Sequence, residues 1–195
     1  MNTPHDFPFT KKFISIDELK TLGLSYYKIN QLVKAGQLKK LTRKNYENLN
    51  YEGAESDFFY VPAYMPKGVI CLTSAAVYWQ LTTERPAGLD VAIPRKTRLY
   101  TIPEWPHFQW YYFDEKRYSI GKIDIHEDGN SFAIYDIEKT VIDTLSYREK
   151  LGMDLAKEIL VQYLQTAHPD LNKLYHYAVE LNTDQILRTY LEVLL

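Results

Sequence analysis

Ser15-Ile16-Asp17-Glu18-Leu19-Lys20-Thr21-Leu22-Gly23-Leu24-Ser25-Tyr26-Tyr27-Lys28-Ile29-Asn30-Gln31-Leu32-Val33-Lys34-Ala35-Gly36 carries two helix starts and two helix stops. Ser15 to Glu18 has the Ser-x-x-Glu form of a capping box, in which each side chain satisfies an orphan backbone donor. Ile16, Leu19 and Leu22 follow at three-residue spacing on one face, and Gly23 ends the helix because it takes positive φ at little cost. Ser25 is a second N-cap ahead of Tyr26, Ile29, Leu32 and Val33, an apolar stripe closed by Gly36, so a second helix is expected over about 26–35. The stripe reads as core packing that aims the other face. That face holds Tyr27, Lys28, Gln31 and Lys34, side chains that donate to phosphates or reach base edges.

Downstream, Gln37-Leu38-Lys39-Lys40-Leu41, Thr42-Arg43-Lys44-Asn45 and Tyr46 read as two short strands around a basic turn. Helix, Gly turn, helix, basic hairpin is the order of a winged helix-turn-helix, whose second helix enters the major groove while the hairpin touches the flanking backbone. The expected DNA-facing residues are therefore Ser25, Tyr27, Lys28, Gln31 and Lys34 on the helix, with Lys39, Lys40, Arg43, Lys44 and Tyr46 on the hairpin. The head so defined covers residues 1–50. Residues 45–57 show no period and hold Asn, Glu, Gly and Ser, which places a linker there and a second domain over 58–195.

Charge divides the chain at the same point. The 195 residues carry a net charge of only −2. Between positions 11 and 44, however, nine Lys/Arg face two Asp/Glu, while from position 45 onward the balance is acidic. A basic segment joined to an acidic one suggests two partners, the first of them phosphate-rich. A solvated face that only keeps the head soluble is the plain alternative. A second basic spot, Arg95, Lys96 and Arg98, follows a strand end inside the acidic region and suits RNA, DNA or protein, or ordinary surface ion pairs.

The second domain reads as α+β. Residues 58–64 and 69–72 open it, and Thr73 is expected to cap a short helix over 74–80. Strands are expected over 89–93, stopped by Pro94, and over 108–113, 120–125 and 132–135, giving a mixed or antiparallel sheet. Beyond Asp136 the period becomes helical, and four amphipathic stretches predict a helical C-terminal half. Most of the 17 Tyr and eight Phe alternate within strands and read as core, with Tyr27, Tyr46 and Tyr51 kept as candidates for base stacking.

Val69-Ile70-Cys71-Leu72-Thr73-Ser74-Ala75-Ala76, Leu81-Thr82, Val91-Ala92-Ile93-Pro94-Arg95 and Tyr135-Asp136-Ile137-Glu138-Lys139-Thr140-Val141-Ile142-Asp143 resemble the AbiEi family, the antitoxin half of type IV toxin-antitoxin systems that act in abortive infection, a bacterial phage defence. Gly152, Asp154, Ala156 and Tyr190-Leu191-Glu192 continue the likeness over nearly the whole chain. The resemblance implies a winged helix that represses its own promoter and a C-terminal domain that neutralises a nucleotidyltransferase-like toxin without a stable complex. One departure is that the family's Arg-Gly-x-Tyr turn stands here as Arg43-Lys44-Asn45-Tyr46. Asn45 tolerates positive φ better than most residues, which would let it serve the turn.

Catalytic readings have less support. Asp136, Glu138 and Asp143 could bind Mg²⁺ or share a proton, but they sit at a helix start, where acids are favoured and Asp136 can cap. Asp90 with Lys96 lacks a following Glu-x-Lys. His5, His107, His126, His168 and His176 have no ligand spacing, and Cys71 is the single cysteine, which excludes an internal disulfide and suits a reducing compartment. No cofactor, metal or catalytic residue is assigned. No signal-peptide pattern opens the chain and no apolar run reaches the roughly 18 to 20 residues a bilayer span needs, so a cytoplasmic protein without membrane contact is expected. The expectation is a non-enzymatic regulator bound to double-stranded promoter DNA, with a toxin as functional partner. The alternatives are a metal-dependent nuclease or nucleotidyltransferase with a DNA-binding head, and a transcription factor that senses a small ligand.

Overall fold

The computed structural model describes residues 10–99 and 102–194, so the first nine positions of the head, His5 among them, and the last of the body lie outside the described residues. The fold is mixed α+β, with two sheets and ten α-helices among the described residues. The head runs β1 (Phe13–Ser15), α1 (Ile16–Thr21), α2 (Tyr26–Lys34), β2 (Leu38–Lys40) and β3 (Asn45–Asn48). Strand β1 was not legible beforehand, because three residues leave no room for a period. It pairs antiparallel with β3, which also pairs with β2, so β3 is the central strand. That corrects the reading of residues 45–57 as linker: the connection begins only after β3.

Local signals placed both helices. Ser15 and Glu18 form the full capping box, with the Glu18 carboxylate 2.8 Å from the Ser15 backbone nitrogen. Burial works to raise the Glu18 carboxyl, but its bonds to Lys11 and Ser15 hold it below the ordinary carboxylate range. Gly23 and Gly36 both adopt positive φ, +80° and +71°, where each helix stops. Ile14, Ile16, Leu19, Leu24, Ile29, Leu32, Leu38 and Tyr46 form the head's own core. Burying a side chain such as Ile29 or Leu32 stabilises it by about 1.5 to 3 kcal/mol. Two apolar residues expected in this core are instead exposed: Leu22 follows the last turn of α1, and Tyr26, in the first turn of α2, lies under the Lys20 ammonium at 4.6 Å from its ring centre.

The body opens with a 3-10 turn (Asp57–Phe59) and α3 (Tyr60–Tyr64), then β4 (Val69–Ile70), α4 (Leu72–Tyr78), β5 (Leu89–Pro94), β6 (Phe108–Phe113), α5 (Glu115–Ser119), β7 (Lys122–Glu127) and β8 (Asn130–Tyr135). The sheet order is β6-β5-β4-β8-β7, with parallel β5·β6 and β4·β8 and antiparallel β4·β5 and β7·β8. Both faces are covered, which is why β4 and β5 read as continuous apolar runs. Ile70, Val91, Ile93 and Ile134 face one cluster, and Val69, Ala92, Tyr111 and Tyr135 face the other. The remaining helices, α6 (Ile137–Ser146), α7 (Arg148–Leu151), α8 (Met153–Leu164), α9 (Leu171–Glu180) and α10 (Asp184–Leu194), pack around a third core that includes Val141, Ile142, Leu145, Ile159 and Leu160. The single turn α7 makes five helices where four were expected.

The cap of α4 differs from expectation. Thr73 does not cap it; the helix starts two residues earlier than expected, at Leu72 with φ +46°, and has no side-chain cap of its own. Asp90 on neighbouring β5 supplies it, accepting the Ser74 backbone N–H at 3.3 Å while its own N–H donates to Ser74 Oγ at 2.8 Å. A cap delivered from a strand 16 residues away leaves no local signature. Head and body are fastened together: Tyr60 Oη donates to Glu47 Oε1 at 2.8 Å, Asn45 Nδ2 to the Ala63 carbonyl at 2.5 Å, and the Lys12 N–H to Asn130 Oδ1 at 2.9 Å.

Candidate nucleic-acid interface

Two surfaces gather the residues singled out from the sequence. The first is the outer face of α2. Ile29 and Leu32 anchor this helix in the head core, which turns Ser25, Tyr27, Lys28, Gln31 and Lys34 outward, all exposed, Tyr27 at 72%. Ser25 Oγ also accepts the Lys28 N–H at 3.4 Å, a long bond that fits an N-cap open to water. The body packs against the other side of the head, through β3, and leaves this face uncovered.

The second surface is a groove of about 810 Å³ between the β2–β3 hairpin and the body. Three tight turns build it. In the hairpin, Thr42 Oγ1 accepts the N–H groups of Lys44 at 3.2 Å and Asn45 at 3.0 Å, and this closes the turn that carries Arg43 and Lys44. No residue of that turn has positive φ, so the missing glycine costs nothing and Asn45 is needed instead for its bond to α3. In the body, Met65-Pro66-Lys67-Gly68 closes by Gly68 N–H to the Met65 carbonyl at 2.8 Å, and Pro94-Arg95-Lys96-Thr97 by Thr97 N–H to the Pro94 carbonyl at 2.8 Å. Each turn puts a lysine at its third position, where the backbone is held by the closing hydrogen bond. The β4–β5 register brings the two together: Val69 pairs antiparallel with Ala92, so the approach to β4 lies beside the exit from β5.

Arg43, Lys44, Lys67, Lys96 and Arg98 therefore line one groove, all exposed. None of them has a carboxylate partner among the described residues, and no Asp or Glu lines the groove. Arg95 is exposed too but does not line it; its N–H is spent on the Phe113 carbonyl. Lys39 and Lys40 are exposed on β2. Tyr46 is a correction: it is 3% exposed, in the head core. As the second residue of a central strand it points inward, so it cannot meet DNA. Tyr51 is partly buried at the head–body seam, where its hydroxyl accepts from Asn130 Nδ2 at 3.0 Å. Lys67 was missed in the sequence, although Pro66-Lys67-Gly68 is a turn signature with a cation at its tip.

Two of the body's carboxylates, Asp136 and Glu138, meet at one ammonium, that of Lys173, while Asp143 pairs elsewhere. Asp136 caps α6 through the Lys139 N–H at 2.9 Å and accepts from Tyr177 Oη and Lys173. Glu138 accepts from Tyr163 Oη at 3.2 Å and Lys173 Nζ at 2.9 Å. Burial works against the Lys173 charge, yet those carboxylates hold its ammonium above the ordinary value. Asp143 is fully buried between Lys139 and Arg117. The Lys139 ammonium rests over the rings of Tyr135 and Phe113; burial lowers its pKa and Asp143 opposes that. Burial raises Asp90 to about 6 and the Cys71 thiol well above its usual value. Among the described residues no group of three or more His, Cys, Asp or Glu is arranged to hold a metal ion, and no helix is long and apolar enough to cross a membrane. A scan against protein-family models found no match and a search of curated proteins found none, so a functional reading rests on the chain's own residues.

Proposed function

We propose that this chain is a DNA-binding autorepressor of the antitoxin type, with a winged helix-turn-helix head on promoter DNA and a body that acts against a nucleotidyltransferase-like toxin in the cytoplasm. One observation carries the DNA half: of the nine cations between positions 11 and 44, only Lys11 and Lys12 hold carboxylates, and the other seven have no such partner among the described residues. A solvated face would intersperse both signs, whereas unpaired cations beside an exposed helix face leave a site for a polyanion. The AbiEi resemblance supports the toxin half. This role requires no bond to be made or broken. The enzyme alternative has no observation in its favour, since Asp136, Glu138 and Asp143 each serve a cap or an ion pair.

The test is a titration of the purified chain with the duplex upstream of its own reading frame, across a range of salt. With roughly 4 to 6 phosphates neutralised, log affinity falls against log salt with a slope of about −4 to −5. A salt-independent titration, or no binding in dilute buffer, overturns the DNA half. For the toxin half, co-expression with a nucleotidyltransferase-like reading frame of the same operon restores growth; unchanged growth arrest overturns it.

A further inference from the structure

We infer that the acidic body is itself part of the DNA grip: Lys67, Lys96 and Arg98 hold a stretch of duplex backbone next to the one taken by Arg43 and Lys44, so that a single phosphate strand runs through the groove between hairpin and body. This rests on the DNA reading above and extends it to a region whose net charge argues the other way. Three observations carry it. The five cations come from elements far apart in sequence yet line one groove, and none is neutralised by a carboxylate among the described residues. Two of the body's three sit on turns whose backbone is already closed by a hydrogen bond, so little ordering is lost when an anion is bound. The hairpin wall is tied to the body by the Asn45–Ala63 bond and, further along β3, by the Tyr60–Glu47 bond, which keeps the two walls in register.

Chemically the groove offers ammonium and guanidinium groups, which suit phosphate oxygens, and a grip on the backbone alone reads no base edge. The body's share of the grip is therefore independent of sequence, and discrimination stays with α2. Since the body and the hairpin hold successive phosphates, the footprint is longer than the head alone would leave.

The experiment compares the full-length wild type with Lys67→Ala/Lys96→Ala/Arg98→Ala and with Arg43→Ala/Lys44→Ala, using fluorescein-labelled random-sequence duplex across salt, with circular dichroism to confirm that each is folded. All five side chains are exposed, so neither variant disturbs a core. The body variant is expected to lower the steepness of the log–log salt slope by about 2 to 3, one phosphate contact per residue lost, and the hairpin variant by about 2. A body variant with the slope and affinity of wild type, alongside a weakened hairpin variant, overturns the inference and leaves the DNA reading standing. Wild type that ignores duplex altogether overturns the DNA reading itself. A body variant that loses binding of inorganic tripolyphosphate while its grip on duplex is unchanged also overturns the inference, and makes the groove a site for a small polyphosphate.

Discussion

Lys28 and Lys139 lie on helices of similar length, α2 and α6, and are used in opposite ways. Lys28 stands in water on the outer face of α2, with no carboxylate within reach among the described residues. Lys139 is fully buried, clasped by Asp143 one turn along and covered by the rings of Tyr135 and Phe113. The same contrast holds more widely: the body's Lys173, Arg117 and Lys139 hold carboxylates, while seven of the head's cations, Arg43 and Lys44 among them, and the groove's Lys67, Lys96 and Arg98 have no such partner among the described residues. Net charge summed over a region hides this difference. What matters for recognition is which charges remain unpaired and exposed, and by that measure the acidic body carries a cationic edge.

The contrast is broken most forcefully at its buried end. Asp143→Ala leaves Lys139 and Arg117 without their anion in a dry site and is expected to cost about 3 to 5 kcal/mol, read as a large drop in the urea midpoint. Lys139→Met/Asp143→Leu removes the buried ammonium together with the carboxylate and leaves only Arg117 without its anion, so it should lose less than Asp143→Ala alone; a double variant as unstable as the single one would put the cost on Arg117.

Asp90 gives the next largest effect, and it depends on pH. Its folded pKa of about 6 lies above the ordinary carboxyl value of 3.8, so the protonated form is favoured by the fold. Its stabilising contribution is complete below pH 3.8 and disappears as pH rises through about 6, a difference of about 3 kcal/mol. Asp90→Asn should therefore flatten the stability profile over that window and gain on wild type as pH rises; parallel urea midpoints for the two proteins from pH 4 to 7 would contradict this.

At the open end the effects fall on binding. Gln31→Ala is expected to relax preference between operator and random duplex by about 1 to 3 kcal/mol, whereas Lys28→Ala weakens both alike. Competition titrations separate the two, and equal losses on both duplexes for Gln31→Ala would move base reading elsewhere. Smallest of all is Ser15→Ala, which removes half of the capping box at a cost of about 1 kcal/mol in thermal stability and leaves the salt slope untouched.

What could be read from the sequence divides along physical lines. The caps at Ser15, Ser25 and Asp136 and the stops at Gly23 and Gly36 use hydrogen bonds or φ values set within four residues, so α1, α2 and α6 stood out locally. The exposed face of α2 followed from its apolar stripe. Tyr46 was misjudged because its neighbours Arg43 and Lys44 are exposed, and only the pairing of β3 with strands on both sides turns its ring inward.

The sequence by itself determined the helix, helix, hairpin order of the head, its two helix starts and the uneven spread of charge, because each depends on neighbours along the chain. Tertiary structure alone decided which charges stay open. The β4–β5 register set Lys67 beside Lys96, the bond from Asn45 to α3 brought the hairpin against them, and the packing of α6 sealed Asp143 between two cations. Those are pairings between distant segments, and the free energy of a charge depends on what surrounds it in space, which residue order alone does not reveal.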